Sequence, residues 1–208
     1  MEALATKTLP SRRSLVVPAR DGLPLPCHLY LPPGCDADGD GVPDAPLPTI
    51  VYVHGGPWVA YLQNQWFTNR NLILLADRGY AVIRAEFRGG AGYGWDYIDA
   101  SNLQWGGAMH TDLLDIVSFA AERGITDPKR AGIWGWSYGG YATFAALAFA
   151  PDAFACGVSM YGLSDLETFV ENLRSPGAKR QWHTRVGDVT TDEGLSLIHI
   201  SEPTRQKP

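Results

Sequence analysis

Apolar and polar positions along the chain change period several times. Ser14 to Val17 and Leu25 to Leu31 are strand-like runs on either side of the turn-forming pair Asp21-Gly22, which predicts a hairpin. A loop rich in proline, glycine and aspartate follows from Pro32 to Pro48. Thr49 to His54 (TIVYVH) is a short β-branched run ending in Gly-Gly-Pro and reads as a buried strand. Asn69 to Arg78 places Leu72, Leu75 and Ala76 on one helical face and stops at Gly79. Tyr80 to Phe87 is the next strand. Met109 to Arg123 is a second helix, with Met109, Leu113, Ile116, Val117 and Ala120 on one stripe, Asp112 early and Arg123 late, the order the helix dipole favours. Ala131 to Trp136 reads as a strand, Tyr138 to Ala150 as a small-residue helix ended by Pro151, and Ala155 to Tyr161 as a further strand. Strands alternating with helices of this length imply right-handed βαβ units, hence an α/β fold with a mostly parallel, doubly wound sheet covered by helices on both faces. No internal repeat is visible.

Composition narrows the class. With 45% apolar and 19% charged side chains, the chain reads as one globular domain rather than a disordered or fibrous segment. The net charge of -5, with lysines and arginines scattered, argues against nucleic acid as a partner. The longest apolar stretch, Ala142 to Ala150, is far short of the roughly 20 residues of a spanning helix, so no membrane partner is expected. Met1 to Pro10 lacks the apolar core of a signal peptide; compartment and oligomeric state stay open. Cys27, Cys35 and Cys156 form neither a disulfide framework nor a zinc pattern.

The chemistry lies in Gly135-Trp136-Ser137-Tyr138-Gly139, a G-x-S-x-G with a strand run before it and a helix after it. A sharp turn there holds a serine in a strained conformation that only small flanking residues permit, which makes Ser137 the candidate nucleophile. The following helix points its amide dipoles at the site and favours negative charge. The oxyanion formed on attack needs two backbone N–H donors. One is expected from Tyr138. The other is expected from the loop His54-Gly55-Gly56-Pro57-Trp58, where Pro57 has no N–H, leaving Gly56. His54, at a strand end well ahead of the nucleophile, reads as structural rather than catalytic.

Together HGGPW, the Arg78 to Gly89 run (RGYAVIRAEFRG), AGYGW, WGGAMHTDLLD from Trp105 and GWSYGGYA from Gly135 resemble the prolyl oligopeptidase family of serine peptidases, nearest its acylaminoacyl-peptidase-like branch. The resemblance covers about Leu15 to Gly194. It implies an α/β-hydrolase fold and a peptidase that cuts short peptides through an acyl-enzyme, with Ser137 as nucleophile, Gly56 and Tyr138 as oxyanion donors and no organic cofactor. It further implies that Leu163, Leu166 and Phe169 wall the pocket for the residue before the cut, favouring an apolar side chain there. Members of this fold carry the acid and histidine of the triad after the nucleophile. Asp165, His183 and Asp188 follow Ser137 too soon and are assigned no role, so the domain is expected to be C-terminally truncated, to lack the triad Asp and His, and to be inactive as it stands. Nothing before Leu15 resembles the family's propeller. A carboxylesterase on the same fold is the alternative, because HGG loops also occur in esterases.

Two segments stand apart. Leu195 to Arg205 (LSLIHISEPTR) resembles, residue for residue, one reading frame of a transposase-end adapter used to prepare sequencing libraries. Residues 195–208, including His199, are therefore set aside as a non-native tail, with 1–14 as an N-terminal extension and 15–194 as the hydrolase part. Asp36, Asp38, Asp40 and Asp44, with Gly41, have the ligand spacing of a calcium loop. Leu47 stands where an EF-hand places its bidentate Glu, and Pro43 and Pro46 forbid a following helix. The two readings are a solvated acidic turn and a structural calcium site; a calcium-binding structural module is the alternative of another class.

Overall fold

The computed structural model describes residues 7–60 and 66–198. Strands β1 (Ser11–Pro18), β2 (Pro24–Leu31), β3 (Leu47–Val53), β4 (Ala81–Ala85), β5 (Thr126–Trp136) and β6 (Cys156–Met160) form one sheet in the order β1-β2-β4-β3-β5-β6. The helices are α1 (Trp66–Ala76), α2 (Trp95–Asp99), α3 (Ala108–Glu122), α4 (Tyr138–Phe149), α5 (Leu166–Glu171), α6 (Pro176–Arg185) and α7 (Asp192–Ile198). No helix among the described residues is long and apolar enough to cross a membrane.

Strands β4, β3, β5 and β6 run parallel, while the β1–β2 hairpin joins the sheet antiparallel through Cys27↔Ala85 and Tyr30↔Val82. The sheet is thus mixed at the hairpin edge, a feature the alternation of strands and helices does not encode. β1 already begins at Ser11, and β5 at Thr126 rather than Ala131. The early part of β5 pairs with β3 across a shift between Leu47 and Thr49. Pro48 there and Pro128 on β5 have no N–H to give a regular ladder.

Side-chain alternation sorts each strand between two cores. Val51 and Val53 of β3, Ile83 and Ala85 of β4 and Ile133 of β5 pack with α3 and α4, through Met109, Leu113, Ile116, Tyr141 and Ala145. Tyr52, Val82 and Trp134 turn the other way and meet Leu72 and Ala76 of α1. Each of the buried valine, leucine, isoleucine and methionine side chains contributes roughly 1.5–3 kcal/mol on leaving water. The second face is covered only in part: Trp136, Val158 and Met160, in register across β5 and β6, stay exposed on it. α7 spans the boundary drawn after Gly194, and Leu195 packs against the larger core; residues 199–208, with His199, lie outside the described residues.

Asp112 does more than complement a helix dipole. It is buried, and its carboxylate accepts from Arg88 Nε (2.9 Å), Nη2 (2.6 Å) and the Arg88 backbone N–H (3.1 Å). Arg88 Nη1 also donates to Asp21 in the hairpin turn at 2.8 Å, so one guanidinium ties β4's end, α3 and the hairpin together. Burial disfavours the Arg88 charge, and the hydrogen bonds to Asp112 and Asp21 outweigh it, so its pKa lies above the ordinary value. Nearby, Arg20 makes a comparable fork to Asp115, but in solvent. Asp112→Ala, which strands a buried guanidinium, should cost about 3–5 kcal/mol. Asp115→Ala should cost under about 1 kcal/mol. Urea unfolding of the two variants measures both, and equal losses would show that burial of the Arg88 pair does not matter.

Candidate active site

The carboxyl ends of β3 and β5 lie side by side, with Val53 opposite Gly135. Two loops therefore leave the sheet at the same point: His54-Gly55-Gly56 from β3 and Trp136-Ser137-Tyr138 from β5. Ser137 has φ 56° and ψ -113°, a left-handed backbone that a non-glycine residue adopts only under constraint. Three contacts impose it. The Ser137 N–H donates to Met160 O (2.9 Å), the Ser137 carbonyl accepts from Tyr141 N–H (3.0 Å), and the turn is closed by glycines with no room for a side chain. A Cβ on Gly135 would collide with the Gly139 backbone, and one on Gly139 with the Val53 carbonyl. The G-x-S-x-G spacing is thus a steric requirement of packing a helix start onto two strand ends.

The β3 loop reaches the serine directly. A Cβ built on Gly55 would stand 3.2 Å from the Ser137 Cβ and 3.0 Å from the Trp136 carbonyl oxygen. Gly56 sits at φ +127°, a conformation that favours glycine. Tyr138 is the first residue of α4, so its N–H has no acceptor within the helix and faces the site with the positive end of the helix dipole. Its ring is buried against Phe87, Trp105 and Tyr141 at centroid distances of 4.9, 4.7 and 6.0 Å. Burial, then Tyr141 and Asp112, pushes the phenol pKa well up, so the side chain is a neutral wedge that anchors the helix start.

His54 is fully buried, stacked on Phe87 at 4.6 Å, with Nδ1 2.8 Å from the Gly55 carbonyl oxygen and Nε2 3.5 Å from Glu86. Among the described residues no hydrogen bond joins the Ser137 hydroxyl to a histidine. Of the groups after the nucleophile, Asp165 caps α5 by accepting from Thr168 N–H (2.9 Å) and hydroxyl (2.7 Å). Asp188 caps its own turn through Thr190, and His183 Nδ1 lies 3.4 Å from it. The hydrogen bonds from Thr190 hold the Asp188 carboxyl below the ordinary range, with His183 adding less.

The three expected pocket residues divide. Leu166 is 2% exposed and faces the core, so it cannot wall an open pocket; Leu163 and Phe169 are partly buried against the same core and stay available. Sequence reasoning missed an aromatic group beside the β3 loop. Trp58 meets Trp105 (6.0 Å) and Trp182 (5.7 Å), Trp182 meets Phe169 (4.8 Å), and the Arg185 guanidinium lies 4.9 Å over Trp58. Trp58 Nε1 also donates to Ser101 Oγ at 3.0 Å. Trp58 was visible within HGGPW; nothing local marked Trp182 or Arg185 as its neighbours.

In the acidic loop, Asp36, Asp38 and Asp40 bring ligand oxygens within 4.8 Å of one another, and Asp44 is not among them. Asp44 accepts instead from Ala37 N–H (3.2 Å), Asp38 from Asp40 N–H (3.2 Å) and Asp40 from Val42 N–H (2.7 Å), the pattern of self-capped aspartate turns. Arg13 bridges Asp36 (3.2 Å) and the Gly39 carbonyl (2.7 Å), placing a positive charge against the one largely buried carboxylate of the group.

The sequence profile of the Prolyl oligopeptidase family matches residues 65–194. The chain is 42% identical to dipeptidyl aminopeptidase BIII of Pseudoxanthomonas mexicana over 96% of its own length and 29% of that protein's. It is 35% identical to dipeptidyl peptidase family member 6 of Caenorhabditis elegans, over 89% of this chain and 27% of that one. Uncomplexed acylaminoacyl peptidase from Pyrococcus horikoshii superposes with a TM-score of 0.76 at 26% identity, covering 95% of this chain and 30% of that structure. The chain thus spans under a third of the length of these relatives. The elbow's packing sets a test. Gly139→Ala, which drives a Cβ into the Val53 carbonyl, should cost at least about 3 kcal/mol or prevent folding. Gly177→Ala, near the start of α6 with only Ser175 Oγ at 3.7 Å, should be neutral or stabilise by up to about 1 kcal/mol. Thermal melts of the pair distinguish the cases, and a Gly139→Ala protein melting like the parent would refute the packing.

Proposed function

The chain belongs to the prolyl oligopeptidase family, and from that premise we propose that Ser137 is the nucleophile of a serine peptidase acting on short peptides. One observation carries the reading: Ser137 holds a left-handed backbone between a strand end and a helix start, with Gly55 of the neighbouring loop so near that a Cβ on it would stand 3.2 Å from the Ser137 Cβ. In the reaction, the Ser137 oxygen attacks the scissile carbonyl while a base takes its proton. The carbonyl oxygen, now negative, accepts from Gly56 N–H and Tyr138 N–H; the amine leaves with a proton, and water hydrolyses the acyl-serine. We assign the base to a histidine of the longer protein rather than to His54, which is turned to Gly55 and Glu86, or His183, which faces Asp188. An apolar residue before the cut would pack on Leu163 and Phe169. Two relatives that align over 89% or more of the chain carry dipeptidyl names, which supports release of dipeptides as the form of cutting to test first.

In the full-length protein, Ser137→Ala should lower turnover of a dipeptidyl p-nitroanilide on the order of 10⁶-fold, the scale reached when a triad serine is removed from another serine protease. The 208-residue chain alone should not be labelled by a fluorophosphonate. Rapid labelling of Ser137 in that chain would refute the assignment of the base. Preference for a p-nitrophenyl ester with no amide turnover would favour the esterase reading instead.

A further inference from the structure

Tyr138 N–H is held by the helix it begins, but Gly56 N–H lies in a loop whose two successive glycines are conformationally permissive. The Gly55–Gly56 peptide is planar and trans, so its carbonyl and its N–H point in opposite directions. Whatever fixes the Gly55 oxygen therefore also aims the Gly56 N–H. That group is His54: its Nδ1 lies 2.8 Å from the Gly55 carbonyl, and because a carbonyl oxygen only accepts, Nδ1 is the donor.

The ring is itself held on two further sides. Phe87 stacks on it at 4.6 Å and leans in turn on Tyr138, the residue bearing the other candidate donor, at 4.9 Å. Glu86 Oε2 lies 3.5 Å from Nε2. Glu86 is fixed by Arg84 at 2.7 Å, while Tyr97 Oη donates to its backbone carbonyl at 2.6 Å. Parallel pairing of Tyr52 with Arg84 and Val53 with Ala85 brings His54 and Glu86 level just past the two strand ends. His54, Arg84 and Glu86 are all at most 2% exposed, so water does not compete for these contacts.

We propose that His54 is a positioning residue: by donating from Nδ1 to the Gly55 carbonyl it aims the Gly56 N–H at the oxyanion, and Glu86, braced by Arg84, sets the ring's orientation. The inference rests on the assignment of Ser137, Gly56 and Tyr138 made above. His54 touches no reacting atom and acts only through the peptide.

Two substitutions in the full-length protein separate aim from packing. His54→Leu keeps apolar bulk against Phe87 and removes the donor; His54→Asn places an amide nitrogen near the Nδ1 position and keeps it. Losing an oxyanion donor outright costs on the order of 10²–10³ in kcat, so misdirecting one should lower kcat of His54→Leu by about 10–100-fold with KM within about 2-fold. His54→Asn should recover most of that loss. A peptide aldehyde, whose adduct with the serine carries the oxyanion, should bind His54→Leu more weakly by a factor similar to the loss in kcat. If His54→Leu does not fold, Glu86→Gln replaces it, with an expected loss of about 3–10-fold in kcat and none in KM. The proposal is overturned if kcat of the leucine variant stays within about 2-fold of the parent, if asparagine does no better than leucine, or if Glu86→Gln, where it is needed, leaves kcat unchanged. Activity retained by Ser137→Ala would instead overturn the underlying assignment of the nucleophile.

Discussion

Everything at this site depends on the parallel pairing of β3 with β5. The ladder that sets Val53 opposite Gly135 places two loops from different parts of the chain at one edge, near enough that a side chain on Gly55 would crowd the serine. Backbone hydrogen bonds fix that relation, and side chains only exploit it. A slip of one residue would move the loops apart by about 3.3 Å and send every inward side chain of the strand to the opposite face. The buried runs Val51, Val53 and Ile133 on one face, against Tyr52 and Trp134 on the other, make such a slip prohibitive.

Around that pairing the molecule divides its work by distance. Near the serine the contacts are backbone on backbone, with glycines at 135 and 139 admitting no side chain. One layer out, aromatic rings at 87, 105, 138 and 141 fill the space behind the helix start. Farther away, the hairpin is secured through the Arg88 fork to Asp112 and Asp21, a charged contact that apolar packing alone would not direct.

How much of this was legible follows from what each pattern encodes. Period-two and period-3.6 runs report which way a residue faces, so the hairpin at Asp21-Gly22, the alternation of strands and helices and the stripe Met109 to Ala120 could all be read directly. They do not report which strand is a neighbour, and the antiparallel join of β2 to β4 was invisible for that reason. The elbow was legible because its requirement is local: five consecutive residues carry it. Leu166 misled because a leucine inside the core and a leucine lining a pocket look alike in one dimension. Asp112 was read as a dipole partner because its true partner, Arg88, sits 24 residues earlier on another element. The group of Trp58, Trp182 and Arg185 escaped for the same reason, since aromatic residues far apart in the chain carry no sign that they will meet.

The glycine contacts also bear on how such a chain can evolve. Where backbone packs on backbone, as with Gly140 against Gly162, no neighbouring side chain can shrink to admit a larger residue, so the usual compensating pairs of substitutions are closed off. Drift in this region must pass through the rims: the exposed Trp136 and Tyr161, and the partly exposed Leu163 and Phe169, can change without moving a backbone atom. Diversification of specificity would then be channelled into the surroundings of the serine while its immediate frame stays nearly invariant.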